Sequence, residues 1–227
     1  MTKQKNHKSE VNIEEALSTS EAFLVKNKKN LIGGLIAIIL IIAGVMVYKN
    51  VYAAPKEKKA QAAIFLGEQY FNNAQYELAL HGDSIRFDGL LRVADQFSGT
   101  KTANLANYYI GLSYGNLGQY KEAIQYLEKF KAKDQMVYPA SRVALGNYYA
   151  ELDNLDKAIA TLKDAAKLAD NLTISATALR QAGVLLEKQG KFKEAAELYQ
   201  TVKDKYFQSP VAMDIDKYIE RAKAQMN

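Results

Sequence analysis

The chain contains no cysteine, no tryptophan, three prolines and two histidines in 227 residues. Without cysteine there is no disulfide, thiolate nucleophile or cysteine metal site, although both oxidising and reducing compartments hold proteins that lack it. His7 falls in a polar tail read as disordered and His81 stands alone in a turn, so neither a histidine-centred triad nor a histidine metal site has its ligands. Glycine-rich phosphate loops are absent too. Gly33-Gly34 falls inside an apolar run and reads as helix packing or tolerated glycine. Asp153-Asn154-Leu155-Asp156 lacks the following glycine and closing glutamate of a calcium loop and reads as turn capping. No catalytic, cofactor-binding or metal-binding residue is therefore assigned, and the chain is read as a non-enzyme with no cofactor. The scarcity of proline leaves long helices open.

Charge is unevenly spread. Residues 1–59 hold ten lysines against five acidic residues, while residues 60–227 hold twenty basic and twenty acidic side chains. The net charge of +5 thus belongs to the N-terminal segment. Such an excess beside an apolar run suits lipid headgroups. A neutral remainder has no general pull on phosphate backbones, so nucleic acid is not an expected partner.

Asn30 to Tyr48 is a 19-residue run without a charge, eleven of it Leu, Ile or Val. As a helix it would measure about 28 Å, close to a hydrocarbon core. Its branched aliphatics favour insertion by roughly 3–7 kcal/mol. Residues 31–48 are read as a transmembrane helix, with Tyr48 and Tyr52 placed for an aromatic belt. A cleaved signal peptide is the alternative, since Val51-Tyr52-Ala53 has a small-residue cleavage pattern. Against it stand the 30-residue length and four acidic residues of the segment that precedes the run, the length of the apolar core and Pro55. Lys26, Lys28 and Lys29 before the span face Lys49, Lys56, Lys58 and Lys59 after it, which leaves topology undecided by charge. Residues 1–30 are expected to form a disordered polar tail and a short amphipathic helix, opened by the capping box Ser18-x-x-Glu21. The helix would either lie on headgroups or run on as a linker. Residues 49–59 are expected to form a charged hinge.

Beyond the hinge the sequence repeats. Gly111, Tyr114 and Ala123 return as Gly146, Tyr149 and Ala158, then as Gly183, Leu186 and Ala195. Spacings of 35 and 37 residues are the mark of a helical-hairpin array. Such an array recognises partners and rarely does chemistry. The repeat domain is expected over residues 60–227. Residues 104–133, 139–170 and 176–206 are its regular copies, and 210–226, opened by Pro210, its capping helix. A divergent first copy covers residues 60–100. There His81-Gly82-Asp83-Ser84 breaks the second helix, and Phe87 to Phe97 supplies a replacement. The expected fold is all-α: one transmembrane helix followed by a helical-hairpin solenoid.

The residues Tyr108, Gly111, Tyr114, Gly118, Tyr120, Ala123 and Leu127 make this array similar to the tetratricopeptide repeats. Leu145, Gly146, Tyr149, Leu155, Ala158, Leu162 and Ala165 repeat the pattern, as do Gly183, Gly190, Phe192, Ala195 and Tyr199. Glycine and alanine would let paired helices cross closely, and Gly118 and Gly190 fit left-handed turns. The family's tryptophan is missing, and Leu186 replaces the tyrosine. The whole plan of lysine-flanked anchor, hinge and repeats resembles the YfgM-type proteins, ancillary to the bacterial Sec translocon. Ser20 to Lys29 also looks like that family. The resemblance implies a single-pass inner-membrane protein with its N-terminus cytoplasmic and its repeats periplasmic. Translocon subunits, secreted client chains or chaperones would be its partners. A scaffold for envelope assembly or division, with no role in secretion, is the alternative.

The partner surface is expected on the concave face, formed by the first helix of each hairpin. Its candidates are Tyr108, Leu112, Asn116, Val143, Asn147, Glu151, Arg180, Val184 and Glu187. Their mixed character suits an extended peptide or helix. Tyr108, Val143 and Val184 could equally serve as packing between repeats.

Overall fold

A computed structural model describes residues 13–226. The expected tail and His7 lie outside them. The chain divides into two compact units, one ending at Pro55 and one beginning at Lys56.

In the first unit, α1 runs from Ile13 to Val47 without a break and is followed by a π-helical stretch, Tyr48–Ala53. Ser18 therefore lies inside α1 and opens no helix, which corrects the expected capping box. No proline or glycine interrupts residues 13–32, so nothing separates a short helix from the span. From Leu31 to Val47 every side chain is exposed. By length and composition this is the one helix among the described residues apolar enough to cross a membrane, with a window of mean hydropathy 2.8. A helix apolar on all sides needs a protein core or lipid around it.

The expected hinge is also helical, because α2 begins at Ala54 and runs to Asn72. Pro55 directly follows the π-helical stretch, in which the Ala54 N–H bonds back to Lys49 O, and this wider turn is where the helix takes up a residue with no N–H of its own. Charged residues there read as a linker in sequence. Glu57 instead reaches across to α5 (Lys101–Asn116). Its carboxylate accepts from Lys101 N at 2.8 Å, Thr102 N at 3.0 Å and Thr102 Oγ1 at 2.6 Å. Burial acts to raise its pKa, but these hydrogen bonds leave it lowered.

The first hairpin pairs α2 with α3 (Tyr76–His81) and α4 (Leu90–Gln96). Asp83 organises the turn that splits them. Its Oδ1 accepts from the backbone N–H groups of Ile85, Arg86 and Phe87 at 3.1, 2.7 and 3.0 Å. Tyr70 donates its hydroxyl to Oδ2 at 2.7 Å. The Arg86 N–H, the Tyr70 hydroxyl and the other donors hold the Asp83 carboxyl far below the usual range. The stability it supplies is fully present above its ordinary pKa of about 4 and is lost as pH falls through the lower folded value. Asp83→Asn is expected to remove that acid-dependent loss and to speed tryptic cutting at Arg86, read by timed digestion.

The regular hairpins follow: α5 with α6 (Tyr120–Lys129), α7 (Val137–Glu151) with α8 (Leu155–Ala169), and α9 (Ile174–Lys188) with α10 (Phe192–Lys205). Each second helix also packs on the next first helix, which makes the layers continuous. The glycines set the closest approach. A Cβ on Gly111 would lie 2.6 Å from Leu127 Cγ, one on Gly146 2.7 Å from Leu162 Cγ, and one on Gly183 2.3 Å from Tyr199 Cε1. Gly118 and Gly190 take φ of +75° and +73° in open turns, and Asp153 occupies the equivalent turn at +58°. The closing element differs from expectation. Pro210–Asp214 is a single 3₁₀ stretch capped by Ser209, and α11 proper runs only from Ile215 to Ala224. Ile215, Ile219 and Ala222 of α11 cover the apolar edge left by α10.

Candidate partner-binding groove

First helices and the capping helix build a groove of about 410 Å³. Asn147, Ala150 and Glu151 line it from α7, at a spacing that puts them on one helical face. Arg180, Gln181, Val184 and Leu185 line it from α9, and Tyr218 closes it from α11. The Arg180 guanidinium lies 5.7 Å from the centre of the Tyr218 ring. It forms no ion pair among the described residues. Lys217 and Arg221 also stand over Tyr218, at 5.2 and 4.8 Å, but each is paired: Lys217 with Asp214 at 2.6 Å, and Arg221 with Glu187 at 2.5 Å. Arg180 is thus the free cation of this cluster among the described residues. Beside it, Gln181 Oε1 is buried and meets no donor.

Four of the predicted residues, Asn147, Glu151, Arg180 and Val184, come together in this groove. Val143 is half-buried against the α8–α11 core. Glu187 faces Arg221, its side chain only 12% exposed. The three from α5 lie elsewhere. Tyr108 packs on Phe130 with ring centres 5.3 Å apart, and Leu112 joins the same core. Asn116 turns its amide back to the carbonyl of Leu112. Tyr108 and Leu112 are taken up by packing, since the aromatic residues of α6 and α7 crowd that side, where Tyr148 abuts Gly115 and stacks on Tyr120; Asn116 stays exposed. Burial pushes the Tyr148 hydroxyl up to about 12. Tyr149 is raised to about 12 by burial and by its hydrogen bond to Glu128 on the preceding hairpin. Both stay neutral at physiological pH and act as packing groups.

Gln181 and Tyr218 were not among the candidates. Gln181 sits one position past the expected inward row, and Tyr218 belongs to the capping helix, which carries no repeat pattern. A wider cleft of about 510 Å³ lies between α4, α5 and α6, lined by Leu91, Asp95, Asn104 and Lys129 among others, and holds none of the predicted residues. Among the described residues no group of three or more His, Cys, Asp or Glu could hold a metal. Asn171, in an Asn-Leu-Thr triplet of glycosylation-acceptor type, serves the turn: its Oδ1 accepts from Thr173 N and Ile174 N at 3.1 and 2.8 Å.

Models of the tetratricopeptide repeat match residues 105–134 and 139–204. Among solved structures, the fold is similar to the nearly identical tetratricopeptide-like repeats of a protein described as a kinesin light chain from Podosopora anserina. That likeness has 16% identity and a TM-score of 0.55, and it covers 74% of this chain and 86% of that one. A point variant of the same protein matches with the same values. At this identity the likeness shows the fold alone. No curated protein matches the sequence.

Proposed function

Because the hairpins are tetratricopeptide repeats, we propose that this chain is a membrane-anchored adaptor that binds protein segments in the α7–α9–α11 groove. One observation carries the binding role: the Arg180 guanidinium, which forms no ion pair among the described residues, flanks the half-exposed apolar surface of Val184 and Leu185 in an open groove. A peptide supplies the complement, a carbonyl or carboxylate for Arg180 and an apolar side chain for Val184 and Leu185. The anchor is the α1 segment from Leu31 to Val47, whose apolar side chains are exposed on every side. The resemblance of the anchor-and-repeat plan to YfgM-type proteins supports an inner-membrane site with periplasmic repeats. It also supports an ancillary role at the Sec translocon, where secreted chains or chaperones are the partners.

The test combines topology and capture. A cysteine in place of Leu152, exposed in its turn, is the only thiol in the chain. A membrane-impermeant thiol reagent is expected to label it on intact spheroplasts; protection until lysis overturns the periplasmic reading. A photo-crosslinking residue at Val184 is then expected to capture translocon subunits or nascent secreted chains. Arg180→Glu should weaken that capture at least about tenfold. Capture of a fixed, stoichiometric envelope partner without nascent chains would replace the secretion role with the scaffold reading.

A further inference from the structure

The turns that precede the first helices lie along one edge of the repeat domain, joined by hydrogen bonds. Lys56 Nζ donates to Ser98 O at 2.8 Å, and Asn104 Nδ2 to Lys131 O at 2.7 Å. Asn171 Nδ2 donates to Gln135 O at 3.3 Å, and Lys205 Nζ to Asp170 Oδ1 at 2.6 Å. Along this edge Met136, Val137, Leu168, Leu172, Phe207 and Met213 are exposed, Phe207 at 67% and Met213 at 89%. In the turns of the opposite edge, 73–75, 117–119, 152–154 and 189–191, Leu152 is the one exposed large apolar side chain among the described residues.

The first edge carries more free lysines than free carboxylates. Asp95, at the end of α4, is exposed and unpaired among the described residues, whereas the turn carboxylates are held by the chain's own donors. Asp134 accepts from Met136 N and Val137 N at the start of α7, Asp170 pairs with Lys205, and Asp214 pairs with Lys217. Lys58, Lys59, Lys101, Lys131 and Lys133 are exposed and form no ion pair among the described residues. Apolar tips among free lysines are the composition of a surface that sits at the headgroup boundary of anionic lipid. Lys56, bonded to this edge, follows Tyr48 by eight residues, so chain length alone keeps Lys56 within about 28 Å of the end of the apolar run.

We propose that this edge of the repeat domain docks on an anionic lipid surface, with Met136, Leu172, Phe207 and Met213 at the headgroup boundary and the free lysines on the phosphates. The inference rests on the anchored reading above. Docking holds the edge down and leaves the turns of the opposite edge in water.

The full chain, reconstituted in phosphatidylcholine vesicles with and without phosphatidylglycerol, carries an environment-sensitive fluorophore on one engineered cysteine. The sites are Met213→Cys, Leu172→Cys, Leu152→Cys on the far edge and Ile39→Cys within the span. Spin-labelled lipid in anionic vesicles is expected to quench the labels at Met213 and Leu172 at least about threefold more than the label at Leu152. Charge reversal at Lys131 or Lys133 to Glu should lower the docked fraction about fivefold each. Quenching at Met213 no greater than at Leu152, with Ile39 quenched, overturns the docking edge and leaves the anchor standing. An unquenched label at Ile39 overturns the anchor and the docking with it. Quenching at Met213 that appears only after native membrane proteins are added assigns the edge to a protein and overturns the lipid proposal.

Discussion

Tyr199→Ala is expected to destabilise the repeat domain by about 3–5 kcal/mol, a large part of the roughly 5–15 kcal/mol that holds a domain folded. Tyr199 is fully buried, lies directly beneath Gly183 and faces Tyr218 at 5.4 Å between ring centres. It joins α9, α10 and α11, so its removal opens a cavity where three helices meet, and the rigid glycine contact prevents collapse. The hydroxyl tells a different story from the ring. It lies near the Glu187–Arg221 pair without meeting hydrogen-bond geometry, and burial, then the Glu187 charge, raises its pKa well above the usual tyrosine value. Tyr199→Phe is therefore expected to be nearly neutral. Urea titrations followed by circular dichroism would compare the two; a Phe variant as damaged as the Ala variant would show that the hydroxyl, not the ring, carries the stability.

Gly146→Val is the second large effect, expected at about 3 kcal/mol of destabilisation. A Cβ there would lie 2.7 Å from Leu162 Cγ and 3.3 Å from the carbonyl oxygen of Ala158. Leu162 is fully buried and Ala158 offers backbone, so neither can yield cheaply. The gain in helix propensity over glycine recovers only a few tenths of a kcal/mol. Gly118→Ala makes the contrast. Nothing lies within 4 Å of its missing Cβ, and only the left-handed backbone at φ +75° opposes a side chain. Its cost is about 1 kcal/mol. Thermal melts of the two variants separate crowding from backbone conformation. Equal shifts would mean that the helices of the second regular hairpin move apart readily.

The all-α array could be read from the sequence because its constraints are local and recur. Close helix crossings demand glycine at 111, 146 and 183, and open left-handed turns favour glycine at 118 and 190. The helical hinge was hidden because charge at residues 49–59 looks like solvated linker, whereas Glu57 is spent on α5, 44 residues away. Ser18-x-x-Glu21 has the composition of a helix start but sits within a longer helix, where a cap has no role. In the groove, Asn147, Glu151, Arg180 and Val184 follow from phase along the first helices. Tyr218 does not, because it arrives on α11, outside the repeat, and Gln181 is marked only by the donor it lacks.

The grip of Glu57 on the start of α5 bears on how the array responds to mechanical force. A pull on the polypeptide at Lys56 reaches the first regular hairpin through three hydrogen bonds to one carboxylate, as well as through the packing of α2. The bonds at Asn104–Lys131 and Asp170–Lys205 then spread strain from turn to turn along the same edge. Links in series each carry the whole load, so a pull at Lys56 is expected to open first at the weakest of these exposed bonds, while the buried packing of the regular hairpins still holds.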